Sequence, residues 1–227
     1  MQNVLLFLGS CFLIAGFAWY FLYLGKSALI AWIAILSLLA NLFVLKQISL
    51  FGFNATASDA FAIGVLLGLN LLQEKYGFEA AKKAIWVSFS GLLFFVVMSQ
   101  IHLLYLPSAH DQTQTMYSLL LEPAPRLMAA SLFTFLVVQF FDTKLYRFAR
   151  EKCPNQPALF ISALVMCFSQ AIDTIMFTLL GLSGLVNELL DIMLISYGIK
   201  VIAIATTIPW SILTRRFLPK QVVPHAR

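Results

Sequence analysis

Residues 158–180 read ALFISALVMCFSQAIDTIMFTLL. The run is long enough, as a helix, to cross a hydrocarbon core of about 30 Å, which takes about 20 residues. Its one charged side chain is Asp173. A surface helix of a soluble protein sets a broad polar face against its apolar one, and this segment has no such face. In lipid every backbone N–H and C=O must find a partner inside the segment, so the run is a helix.

Working outward, six more apolar segments fall at about 4–24, 28–45, 58–73, 85–106, 126–143 and 186–213. The whole chain is 61% hydrophobic and 11% charged, against about 25% charged in a soluble domain. The expected fold class is all-α: a polytopic membrane helix bundle of about seven transmembrane helices, forming one integral membrane domain over residues 1–227. Met1-Gln2-Asn3 lacks the basic start of a secretory signal, and the first apolar run exceeds a signal core, so 4–24 is read as a span.

The charges between the segments orient the bundle. Lys26; Lys75, Lys82 and Lys83; Lys144, Arg147, Arg150 and Lys152; and Arg215, Arg216, Lys220 and Arg227 lie on one set of faces, twelve in all. Lys46 and Arg126 lie on the other set, and Lys200 is inside the last span. The positive-inside rule puts the N-terminus outside and the C-terminus in the cytoplasm, and an odd number of spans agrees. The net charge of +5 is thereby explained without nucleic acid. Trp19, Tyr20 and Tyr23, together at one segment end, fit interfacial aromatics.

Other chemistries find no footing. Cys11, Cys153 and Cys167 are scattered, as are His102, His110 and His225, so no metal site or cofactor is expected. Gly25-Lys26-Ser27 resembles the end of a phosphate loop, but Tyr20 stands where its first glycine belongs and no strand precedes it. No His, Asp or Ser cluster with catalytic spacing is present, so the expectation is not an enzyme.

The informative residues are polar ones within spans, which are costly in lipid and face a bundle interior or a wet cavity. They are Asn41, Asn70, Gln73, Glu74, Arg126, Gln139, Asp142, Gln170, Asp173, Glu188, Asp191 and Lys200. Two segments repeat each other: SLFTFLVVQFFDT (131–143) and SALVMCFSQAIDT (162–174) share Ser, Gln, Asp and Thr at a constant offset of 31. Gln and Asp at i, i+3 share a helix face, so each helix offers a carboxamide beside a carboxylate. A buried lysine needs a partner or loses its proton. Asp191, nine residues before Lys200, falls on the opposite side of an ideal helix, so the partner is sought on another helix, in Asp173. Carboxylates and carboxamides suit the hydrogen-bonding edge of a flat heterocycle, and Phe140, Phe141 and Tyr197 are rings that could stack on one. The residues alone thus point to a carrier of a small, flat, polar molecule.

The segments GLNLLQEKYGFEAAKKA (68–84), RLMAASLFTFLVVQFFDT (126–143), SQAIDTIMF (169–177) and ISYGIKVIAIATTIP (195–209) together resemble the queuosine precursor transporter family, also called the vitamin uptake transporter family. The resemblance covers most of residues 40–213. It implies an inner-membrane importer of 7-deazapurine bases, queuine or its biosynthetic precursors, used in tRNA modification. Those bases offer an N–H beside an amino group, and some carry a cationic aminomethyl arm.

Carried onto this chain, the family pattern implies a substrate site of Asn70, Glu74, Arg126, Gln139, Asp142, Gln170, Asp173, Tyr197 and Lys200. Position 70 is Asn where many relatives have Asp, and 170 is Gln where some have Asn, so the pattern leaves the choice of base open. Residues 1–27 look like an extra helix added to a six-helix core at 28–213, with a basic cytoplasmic tail at 214–227. Two other functions remain open: a substrate-binding membrane subunit driven by a separate ATPase, and a non-transport membrane enzyme or assembly factor. The expected partners are a small planar heterocyclic base and membrane lipid, with an oligomer possible. Gly64 and Gly68 have the spacing of a helix-dimer motif, but close packing inside one bundle is the preferred reading of them.

Overall fold

The computed structural model describes residues 2–153, 156 and 158–217. Among these are eight α-helices, one π-helical turn and one two-stranded hairpin. Helix α1 (Gln2–Leu24) and α2 (Lys26–Phe43) are joined by Gly25 alone, and α3 (Asp59–Tyr76) and α4 (Phe78–Leu103) by Gly77 alone. Both glycines have positive φ, 116° and 86°, a conformation glycine adopts at no steric cost. Each therefore reverses the chain in one residue.

The short α5 (Gln114–Leu121) leads into α6 (Ala124–Lys152), whose first turn carries Pro125 where a missing N–H costs nothing. Helix α7 (Ala158–Phe177) runs on into the π-helical turn Thr178–Leu182, and α8 (Leu189–Phe217) closes the described chain.

Every predicted apolar segment coincides with one of the long helices. Among the described residues, five stretches are long and apolar enough to cross a membrane: Gln2–Leu24, Lys26–Phe43, Phe78–Leu103, Gln114–Val138 and Ala163–Leu182. Helices α3 and α8 are more polar, α3 carrying Asp59, Glu74 and Lys75 and α8 carrying Asp191 and Lys200.

The fold departs from all-α at the connection after α2. Residues expected as a plain connection form a β-hairpin, β1 (Gln47–Leu50) with β2 (Phe53–Thr56), in the register Gln47↔Thr56 to Leu50↔Phe53. Its two-residue turn, Phe51-Gly52, has φ of 54° and 88°. Positive φ at both central positions matches the twist of an antiparallel pair. Pairing satisfies the backbone where no helix can. The free edge of β2 lies against α8, where the Asn54 backbone N–H donates to the Asp191 carboxylate at 3.3 Å. Asn3, at the start of α1, donates to the Ser49 carbonyl at 3.1 Å and holds the other strand.

The main core lies between α1, α2, α3 and α4, around Ala18, Leu22, Leu29, Ile33, Leu72 and Ala84. Trp32 stacks on Phe21 there, ring centroids 5.0 Å apart and nearly parallel. Helix α1 is an integral wall of this core. A second cluster, Val44, Leu127, Leu182, Val186 and Ile192, closes the end where α6, the π turn and α8 meet the end of α2.

Candidate functional site

Beneath the hairpin is a cavity of about 170 Å³, walled by α2, α3, α6, α7, the π turn and α8. For scale, a dry cavity of about 150 Å³ admits a benzene ring, so this one suits a small flat heterocycle. Its wall is apolar at Val44, Ala62, Phe177, Leu182 and Ile192, and polar along one side.

At the centre of the polar side, Lys200 Nζ on α8 donates to Asp173 Oδ2 on α7 at 2.6 Å and to Thr174 Oγ1 at 3.1 Å. This is the partnership expected from the helical phase of Asp191 and Lys200. The lysine side chain is 13% exposed and the aspartate 30%, so the pair sits in the wall with the carboxylate open to the cavity. The lysine contacts only Oδ2, and among the described residues Oδ1 is the acceptor that Lys200 does not take.

The first turn of α3 adds a second carboxylate. Asp59 is 6% exposed, and Ser196 Oγ lies 2.9 Å from both of its oxygens. Hydroxyls surround it: Thr56 Oγ1 and Ser58 Oγ are 2.9 Å apart and both buried, and both line the cavity. Asn41 of α2, also lining the cavity, donates through Nδ2 to the Ser37 carbonyl at 3.0 Å. Its Oδ1 is buried with no partner among the described residues. A buried acceptor left unpaired costs stability, and such a group at a cavity wall is poised for a donor on a ligand.

Of the nine residues implied as a substrate site, Asp173 and Lys200 line the cavity and meet each other. Asn70, Glu74, Gln170 and Tyr197 are part-buried elsewhere on α3, α7 and α8 and do not line it. The side chains of Gln139 and Asp142 lie outside the described residues.

Arg126 is placed differently from the implied role. Its Nε donates to the Leu180 carbonyl at 3.0 Å and an Nη to the Ser183 carbonyl at 2.7 Å. The guanidinium thus satisfies carbonyls that the π turn leaves free at a helix end. Phe140 and Phe141 are 57% and 47% exposed on α6, with Lys144 over the Phe140 ring at 4.0 Å. The aromatic in the cavity wall is Phe177. Asp191 holds the hairpin edge.

Sequence reasoning missed Asp59 and Ser196 as site residues and left Asn41 among the merely polar. A signal for Asp59 was present: a carboxylate directly after Thr56 and Ser58, at the very start of an apolar run.

The fold and the cavity define a class, a polytopic helical membrane protein with an ion-paired polar chamber between its helices. A sequence family described as "Putative vitamin uptake transporter" matches residues 56–214, the stretch that contains the end of β2, α3 and every helix through most of α8. The chain is also 30% identical over 198 residues, 86% of either chain, to a protein of Bacillus subtilis (strain 168) named "Probable queuosine precursor transporter". No solved structure matches. The chain belongs to the vitamin uptake transporter family, the one its sequence resembles, and is a multi-pass protein of the cell membrane.

Proposed function

We propose that this protein imports a 7-deazapurine base, queuine or one of its biosynthetic precursors, across the cell membrane for tRNA modification. The observation that carries the reading is the Asp173–Lys200 pair at the wall of a cavity of about 170 Å³, within the stretch that matches the family. The B. subtilis relative's name supplies the substrate class. A guanine-like edge presents adjacent N–H donors, and the second oxygen of Asp173 together with Asn41 Oδ1 offers acceptors for them.

Seven spans, with the N-terminus outside and the C-terminus in the cytoplasm, complete the reading. Asp173 stands nine residues before the end of the π turn at Leu182, roughly 14 Å along a helix at 1.5 Å per residue. That is near the middle of a core about 30 Å thick. The bundle is a single domain, with α1 as an addition to a six-helix core and a basic cytoplasmic tail. The site belongs to binding and passage, and the protein acts as a transporter rather than an enzyme.

The test is rescue in a bacterium unable to make or import queuosine precursors but carrying an exchange enzyme that accepts queuine. Each base is fed separately, and queuosine in tRNA is scored by mobility shift. Return of modified tRNA with one base, and its loss in Asp173→Asn at equal membrane expression, is the expected result. No rescue by any base, with the protein confirmed in the membrane, overturns the substrate assignment.

A further inference from the structure

Two carboxylates and one ammonium line the cavity: Asp59, Asp173 and Lys200. Lys200 contacts Asp173 at 2.6 Å and reaches Asp59 only through its longer-range charge, so Asp59 is the lining carboxylate without a contacting cation among the described residues. The other described elements packed around it bring no further charge to the cavity. Helix α2 contributes Asn41, the hairpin contributes Thr56, and Asp191 of α8 is turned to the Asn54 backbone. An ionised carboxylate in a residue only 6% exposed, with hydroxyls for company, is expensive in a membrane. Such a group holds a proton or waits for a cation.

The geometry at Ser196 accommodates both forms. Its hydroxyl lies 2.9 Å from both carboxyl oxygens and donates to the carboxylate; with Asp59 protonated, the same hydroxyl can accept from the acid O–H and donate to the carbonyl oxygen, closing a reciprocal acid–alcohol pair.

We propose that Asp59 is a specificity-determining residue that carries a proton when no substrate is bound and exchanges it for the positively charged arm of the substrate. The proposal rests on the deazapurine reading and deepens it: the preferred base is one with an aminomethyl ammonium. The step is a simple exchange. The carboxylic acid O–H of Asp59 breaks heterolytically, the proton leaves to bulk buffer, and the carboxylate pairs with the ammonium. The charge of the cavity side chains plus occupant is zero before and after. Linkage fixes the sign: affinity for the cationic base rises with pH, by up to about tenfold per unit, while Asp59 is protonated in the ligand-free protein, and levels off above that range. A neutral base shows no such slope.

The experiment uses full-length protein in nanodiscs. Calorimetric titrations with 7-aminomethyl-7-deazaguanine and with unadorned 7-deazaguanine are run at neutral pH in two buffers of different ionisation enthalpy, which counts released protons. The expected result is close to one proton released per cationic base and none for the neutral base. Asp59→Asn abolishes the release and weakens the cationic base by roughly ten- to hundredfold, while retaining the neutral one. Binding of the cationic base without proton release in the unaltered protein overturns the proposal, as does release that survives in Asp59→Asn.

If neither base binds, the deazapurine reading fails, and the proton is then read without ligand. Infrared spectra of the ligand-free protein should show a protonated-carboxyl band at neutral pH that shifts in Ser196→Ala. Absence of that band, or its indifference to Ser196→Ala, overturns the assignment of the proton to Asp59 whatever becomes of the substrate.

Discussion

Asp173 and Lys200 show how far a single pair constrains a bundle. They come from helices α7 and α8 and meet at 2.6 Å. Each alone in that wall would be a charge without compensation, and breaking one side of a buried pair costs more than the pair contributes. Asp173→Asn and Lys200→Met should therefore each lower the melting temperature, and the double variant should lose less than their sum. The expected coupling is on the order of 0.5–3 kcal/mol. Strict additivity in the thermal-shift cycle would show that the contact is not energetically real.

Arg126 makes the opposite case. Its fork serves two carbonyls at the end of the π turn, which the point charge of lysine does not reproduce. Arg126→Lys should destabilise by about 1 kcal/mol yet leave the dissociation constant for the base unchanged; a tenfold loss of affinity at unaltered melting temperature would return Arg126 to the binding site. Helical phase made the Asp173–Lys200 partnership legible in the sequence, because period 3.6 is a local rule that the order of residues carries. Asp59 was not legible in the same way. Its burial depends on Ser196, 137 residues away, and nothing in the local pattern announces that contact.

Among the elements, α3 shows close packing and the hairpin shows its limit. A Cβ added at Gly64 would meet Ile14 Cγ2 of α1, and Leu36 Cδ1 of α2 at 2.8 Å; one at Gly68 would meet Ile33 Cγ1 at 2.7 Å. The glycine face is thus filled from within the chain, which settles its ambiguous spacing in favour of intramolecular packing. Gly64→Ala should cost about 1–3 kcal/mol through overpacking and leave the oligomeric state in detergent unchanged, as light scattering would report. A shift in mass with full stability would mean that the glycine face serves a second copy.

The long helices were readable because each holds an apolar run, five of them apolar enough among the described residues to cross a membrane. The hairpin was not, for three reasons: its strands are four residues each, its polar Asn54-Ala55-Thr56 imitates a loop, and its edge is satisfied by Asp191 on a distant helix.

At the scale of the whole molecule, three long-range ties gather one end of the bundle. Asn3 holds Ser49, Asn54 holds Asp191, and Arg126 holds Leu180 and Ser183. The start of α1, the hairpin, the start of α6 and the α7–α8 connection therefore share a face, and it is the face poor in Lys and Arg. The α3–α4 turn with Lys75, Lys82 and Lys83, and the end of α6 with Lys144, Arg147 and Lys152, lie at the far ends of their helices. The proposed orientation sets the basic end in the cytoplasm; in that orientation the hairpin lies on the outer side of the cavity.

Cysteine accessibility tests this orientation with a native probe. Cys153 is exposed at the C-terminal end of α6, while Cys11 and Cys167 are half-buried within helices. A membrane-impermeant maleimide should leave Cys153 unlabelled in intact cells and label it in inside-out vesicles. In a Cys153→Ser background, Ala109→Cys, in the exposed connection between α4 and α5, should behave in reverse. Labelling of Cys153 from outside would invert the bundle and put the hairpin and the Asp59 side of the cavity toward the cytoplasm, where they would meet the base on its exit.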